Sequence, residues 1–281
     1  MILLSSKKNL KTKCIYTYKM LISLEGNIGS GKSTFYNYIK NHFSRYYNRP
    51  VGKCIHFVEE PVDDWVKIKD DDGNLIEHFY KDQEKYSFCF QMTAYISRLS
   101  KLRKILKTAK EDDIIITERC IFSDYNVFAR MLYDTGKINK IEFECYKKWF
   151  DEFLDEIPSI LLVYIKTDFD NCHGRVIKRS REGEENISKE YLEKCEMYHE
   201  NWLKDEVNKI ILDGNLDTSH HSEYLDILKQ MINFDTNYPD KFNANDSDNE
   251  HYREYYFDKP KWRKRLYNKT LEECNKRVKK A

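Results

Sequence analysis

Short apolar runs alternate with longer stretches whose apolar residues recur every three to four positions, and the alternation continues from residue 20 to about residue 234. The runs at 20–25, 53–59, 113–117, 159–165 and 209–212 are strand-length and bounded by turn signals. Between them, helical periodicity covers about 34–47, 78–108, 124–134, 140–155, 170–179 and 189–207, with a last helix at 222–233. This βαβα rhythm predicts the α/β class, a five-stranded parallel sheet surrounded by helices. Residues 67–77, which contain Asp70-Asp71-Asp72-Gly73-Asn74, read as a polar loop ahead of the longest helix.

The pattern stops at both ends. Residues 1–19 are Lys-rich and aperiodic, and Met20, at the first residue of the first strand, is an alternative translation start. Residues 235–258 are acidic and Asn-rich, whereas 259–281 are basic with Trp262, Leu266 and Tyr267 scattered among the charges. The organisation expected is an N-terminal arm over 1–19, one domain over 20–234 and a charged C-terminal tail over 235–281. A basic segment folded back on the acidic one, or set against an anionic partner, is the alternative to a solvated tail.

Composition narrows the classes. Of the 281 residues 41% are hydrophobic, enough for a real core. The 48 Lys and Arg are matched by 47 Asp and Glu, so net charge does not point to nucleic acid as the main partner. The 8 cysteines show neither C-x-x-C pairs nor histidines at ligand spacing, which predicts reduced thiols in a cytoplasmic protein and no metal site built from protein ligands alone. No apolar run reaches membrane-spanning length and no signal-peptide core is present, so no membrane partner is expected.

After the first strand, Gly26-Asn27-Ile28-Gly29-Ser30-Gly31-Lys32-Ser33 fits G-x-x-x-x-G-K-[ST], with Thr34 opening the helix. This strand–loop–helix context is that of a phosphate-binding P-loop. Backbone N–H groups and the helix N-terminus would face nucleotide phosphates, Lys32 would reach the β/γ-phosphates, and Ser33 would offer its hydroxyl to Mg²⁺. The loop alone leaves the acceptor open, because kinases, motors and switches share it.

Four further segments carry chemistry. The second strand ends in Glu59-Glu60-Pro61-Val62-Asp63-Asp64-Trp65, and strand carboxyl ends frame the ligand crevice of a parallel sheet. A carboxylate there can take a proton from an attacking hydroxyl while Trp65 packs on the acceptor. The third strand ends in Thr117-Glu118-Arg119-Cys120, which offers Glu118 to the Mg²⁺ side and Arg119 to the base carboxylate. The long helix carries Tyr80, Tyr86, Phe90, Gln91, Ala94 and Arg98; Phe90, Ala94 and Arg98 share a face, and a Gln beside a Phe suits a nucleobase. Arg175, Arg179 and Arg181 meet a Gly-containing loop and read as a mobile Arg-rich lid over the transferring phosphate.

Taken in order, Leu24-Glu25-Gly26-Asn27-Ile28-Gly29-Ser30-Gly31-Lys32-Ser33-Thr34, Glu60-Pro61-Val62-x-x-Trp65, Ser87-Phe88-x-Phe90-Gln91, Glu118-Arg119-x-x-x-Ser123-Asp124, Arg175-x-x-x-Arg179-x-Arg181, Tyr191-Leu192-Glu193-Lys194 and His199-Glu200-x-Trp202-Leu203 resemble the cellular deoxynucleoside kinases. The resemblance runs from about residue 20 to 234. It implies a P-loop kinase fold, usually a homodimer, that uses ATP or another nucleoside triphosphate with Mg²⁺ to phosphorylate a deoxynucleoside 5′-hydroxyl. It implies Glu60 as general base with Arg119 as its partner, and Ser33 and Glu118 beside the metal. Trp65, Phe90, Gln91 and Phe128 would line the base pocket, Tyr80 and Glu184 would hold the sugar 3′-hydroxyl, and Asp213 would lie in the adenine-side loop. Glu185 is the alternative sugar ligand, since Gly183 stands where relatives carry the first of two glutamates. An Arg98–Asp124 pair in that pocket implies the deoxycytidine and purine-deoxynucleoside branch. Two other readings are a nucleoside monophosphate kinase, disfavoured by a carboxylate at Glu60, and a non-catalytic P-loop binding protein, disfavoured by a base and a lid in register.

Overall fold

The computed structural model describes residues 20–43, 54–111 and 113–232. The expected arm and charged tail, the end of the first helix and the first residue of the second strand lie outside these residues.

Strand β1 (Met20–Glu25) leads through the P-loop into helix α1 (Lys32–Phe43), and β2 (Ile55–Val58) leads into the short α2 (Val62–Val66). A two-residue hairpin, β3 (Lys69–Asp70) and β4 (Gly73–Asn74), precedes α3 (Leu75–Lys81) and the long α4 (Gln83–Thr108). Strand β5 (Ile114–Glu118) is followed by α5 (Ile121–Ser123), a π-helical segment (Asp124–Ala129), α6 (Arg130–Asp134) and α7 (Lys140–Glu152). The described residues close with β6 (Ile160–Lys166), α8 (Phe169–Arg179), α9 (Lys189–Leu203), β7 (Lys209–Asp213) and α10 (His221–Ile232).

The main sheet has the order β2-β5-β1-β6-β7 and every pairing is parallel. Both faces are covered, which is why β5 reads Ile-Ile-Ile-Thr-Glu with every residue buried. Ile22, Leu24 and Ile116 pack with Phe35 and Ile39 of α1 and Leu225 and Leu228 of α10. On the other face Leu21, Val58 and Ile115 meet Leu102 of α4, and Leu162 and Tyr164 meet Leu203 of α9. An aromatic layer of Trp65, Phe79, Phe90, Tyr95, Phe143 and Phe150 fills the space among the helices. Among the described residues no helix is long and apolar enough to cross a membrane.

Two helical expectations and one loop need correction. The single helix over 78–108 is two, because Asp82 leaves the helical region at φ −143° and its carboxylate caps α4 through Lys85 N–H. The polar loop over 67–77 contains the hairpin and the start of α3, where Asn74 and Glu77 form a reciprocal capping box. The helix over 124–134 begins with a π-helical segment, whose wider turn still leaves Asp124 and Phe128 on the cleft.

Candidate active site

The carboxyl ends of β1, β2 and β5 open into one cleft of about 690 Å³, counted with its mouth. The P-loop forms its floor. Gly29 sits at φ 81°, and a Cβ there would lie 2.4 Å from the Cys172 carbonyl, so only glycine lets the loop pass under α8. Asn27 ties the loop to α9 by donating to Leu192 O at 2.8 Å, and Lys32 donates from Nζ to Asn27 O at 2.6 Å. Burial, and next the Arg119 guanidinium, push the Lys32 ammonium down to about 7. The Ser33 hydroxyl donates to Glu118 Oε1 at 2.5 Å, so the two residues expected beside Mg²⁺ are in contact. Two hard oxygen donors next to a phosphate loop suit an ion that keeps several waters and takes its remaining ligands from substrate phosphates; among the described residues no larger group of metal-ligating side chains exists.

On one wall, Arg98 reaches from α4 into a closed set of acceptors. Its Nε donates to Asp124 Oδ2 at 2.8 Å, its Nη1 to the Glu118 carbonyl at 3.0 Å, and its Nη2 to both Asp124 Oδ1 at 3.2 Å and Glu60 Oε1 at 3.1 Å. Arg119 approaches the same Glu60 oxygen with Nε at 3.3 Å, donates from Nη1 to Gly26 O at 2.7 Å, and lies over the Phe128 ring at 4.8 Å. Burial alone would raise the Glu60 carboxyl, but Arg98, Arg119 and Lys32 outweigh it and hold it at about 2.

The opposite wall is the lid. Helix α8 stops at Ser180, which takes a left-handed conformation at φ 47°, and the chain turns through Gly183 so that Glu184 faces inward. Arg179 and Arg181 both pair with Glu184. Tyr80 lines the cleft beside Glu184, and burial, then that carboxylate, raise its hydroxyl far above the usual phenol value, which keeps it a donor. Trp65, Phe90, Gln91 and Phe128 complete the lining, with Trp65 edge-on to Phe90 at 5.4 Å.

Several expected residues sit elsewhere. Arg175 does not join the lid pair; its Nη1 donates to Ser30 O at 3.2 Å and so braces the P-loop. Glu59, just past β2, points outward to an exposed pairing with Lys40. Thr34 and Glu185 are exposed. Asp213 is exposed at the end of β7, where it accepts from Asn215 N–H at 2.9 Å. Sequence reasoning gave no role to Val62, Ile76 or Tyr191, all of which line the cleft. The Asn74-x-x-Glu77 signature could have flagged the helix start that buries Ile76.

A family model described as Deoxynucleoside kinase matches residues 22–234. A deoxycytidine kinase of Rattus norvegicus is 31% identical over 236 residues, covering 73% of this chain and 87% of the relative. A putative kinase of Invertebrate iridescent virus 3 is 31% identical, covering 69% and 88%. A solved deoxyadenosine kinase from M. mycoides, determined with dCMP and a flexible dCDP as products, superposes with a TM-score of 0.60 at 22% identity, covering 73% of this chain and 96% of that one, and it speaks for the fold. With this match over most of the chain, the protein belongs to the deoxynucleoside kinase family of phosphotransferases.

Proposed function

We propose that this enzyme transfers the γ-phosphate of ATP or another nucleoside triphosphate to the 5′-hydroxyl of deoxycytidine, deoxyadenosine or deoxyguanosine, with thymidine a poor acceptor. The observation that carries the reading is the Arg98 guanidinium shared between Glu60 and Asp124. One end of that ion network meets the reacting hydroxyl, and the other occupies the base-pocket wall where a thymine methyl would need room. The relative named a deoxycytidine kinase supports the choice.

Glu60 orients the 5′-hydroxyl and accepts its proton. Its low proton affinity suits a loose transition state, in which that proton leaves late. Lys32, Arg179 and Arg181 meet the charge that develops on the transferring group, and Trp65, Phe90 and Gln91 hold the base. Ser33 and Glu118 would hold Mg²⁺, which neutralises phosphate charge when bound. Tyr80 and Glu184 grip the 3′-hydroxyl; Glu184, not the exposed Glu185, faces the cleft. The described cysteines are free thiols, in keeping with cytoplasmic nucleoside salvage, and the family resemblance supports a homodimer. A monophosphate acceptor would bring its charge against Glu60. A coupled assay with four deoxynucleosides, four monophosphates and no acceptor tests the reading: turnover with monophosphates alone, or with thymidine above all others, would overturn it.

A further inference from the structure

Glu25 closes β1 and is fully buried, yet none of the roles above uses it. Its Oε1 accepts from the Ser23 hydroxyl at 2.5 Å and from the Cys120 backbone N–H at 3.0 Å. Cys120 follows Arg119, whose φ of 63° puts a bulky residue in the left-handed region. Such a conformation is strained and persists only where its surroundings impose it. Three bonds from consecutive residues of β1 and the P-loop do so. Arg119 N–H donates to Leu24 O at 3.0 Å, Cys120 N–H to Glu25 Oε1 at 3.0 Å, and Arg119 Nη1 to Gly26 O at 2.7 Å. The first and third acceptors are backbone carbonyls, so within this set Glu25 is the one whose acceptor a substitution can delete.

We propose that Glu25 is a positioning residue whose carboxyl locks the left-handed turn at Arg119, so that the guanidinium stands between Glu60, the Gly26 carbonyl and the Phe128 ring before substrate arrives. The proposal rests on Arg119 acting in phosphoryl transfer. Burial pushes the Glu25 carboxyl up against the opposing pull of the Arg119 charge and of the Ser23, Cys120 and Ser123 side chains, and its Oε2 makes no hydrogen bond of ordinary geometry among the described residues. A neutral amide of the same shape therefore fits the site and keeps an acceptor for Cys120 N–H. An apolar side chain leaves that N–H buried and unpaired, and the turn is free to relax to negative φ with its guanidinium withdrawn.

The test is a double-mutant cycle on the full chain, reading kcat and both KM values for Glu25→Gln, Glu25→Leu, Arg119→Ala and the double variant Glu25→Leu/Arg119→Ala. Glu25→Gln should stay within about threefold of the parent, while Glu25→Leu should lower kcat on the order of tenfold or more with both KM values nearly unchanged. In the Arg119→Ala background the same leucine should cost less than about twofold, because the group it positions is gone. If the leucine slows both backgrounds by the same factor, Glu25 is merely structural and the proposal falls. If Arg119→Ala alone retains parental kcat, the underlying reading of Arg119 falls instead. Glu25→Asp, which withdraws the acceptor by one methylene, takes the place of the leucine if that variant does not fold, with the same two criteria.

Discussion

Two arginine–carboxylate clusters line the same cleft, and they differ in how far water reaches them. In the cluster around Glu60, the side chains of Arg98, Asp124 and Arg119 are 5%, 3% and 4% exposed. In the lid, Arg179 and Arg181 are 32% and 36% exposed although their shared partner Glu184 is only 10% exposed. Removing one member of the first cluster strands a desolvated charge, whereas the second holds together by pairs that contribute about 0–1 kcal/mol each. On the proposed reading, the buried cluster is set before substrate binds, and the lid arginines can leave Glu184 for phosphate at little cost. Preorganised acceptor chemistry and a loosely tethered donor clamp are two uses of the same residue types, separated by solvent access.

The sharpest way to break this division is Glu60→Gln, which keeps shape and loses the proton acceptor. Turnover should fall on the order of a hundredfold or more, while deoxynucleoside affinity measured by calorimetry stays near that of the parent. Near-normal turnover would remove Glu60 from the role of base. Next in size, Asp124→Ala should lower unfolding free energy by about 3 kcal/mol in urea melts, by leaving Arg98 without its bidentate partner. Arg98→Met together with Asp124→Ala should recover most of that loss and admit thymidine. Continued rejection of thymidine by a folded double variant would relocate the specificity wall. Arg179→Ala makes the opposite case: kcat should fall about tenfold while stability moves by less than about 1 kcal/mol. A stability loss as large as that of Asp124→Ala would show the lid to be structural.

The same division governs what could be read from the chain. The P-loop, the strand ends at Glu60 and Glu118-Arg119, and the Phe90–Arg98 face are legible because a strand end or a helix period fixes where each side chain points. Arg175 and Glu59 sit apart from where their spacing points, for a shared reason. Spacing places them beside the site, but which partner each one finds, an acceptor for Arg175 and a donor for Glu59, depends on the tertiary approach of the P-loop and of α1. The π-helical segment at Asp124 and the left-handed turn at Arg119 have no local signature, since neither is what their residues prefer in isolation. Glu25, as the last residue of a strand, carries no local signal of its own. Its importance lies in a contact with Cys120, and register with β5 is a property of the sheet.

The smallest effect tests whether the buried side is complete in charge before the donor arrives. Lys32 is buried and hydrogen-bonded to the Asn27 carbonyl, with its ammonium pushed down to about 7 by burial and by Arg119. Above that pH the empty enzyme therefore holds a largely neutral amine. Triphosphate binding would restore its charge and return it toward the ordinary lysine value of about 10.4. Proton uptake by this group on donor binding is absent below pH 7, where it is already charged, and appears as pH rises above it. At pH 8, calorimetric titration of a non-hydrolysable triphosphate in buffers of different ionisation enthalpy should show uptake approaching about one proton, lost in Lys32→Met. Uptake equal in the two proteins would mean that Lys32 keeps its charge in the empty cleft, and the acidic wall around Glu60 would then be balanced without the donor.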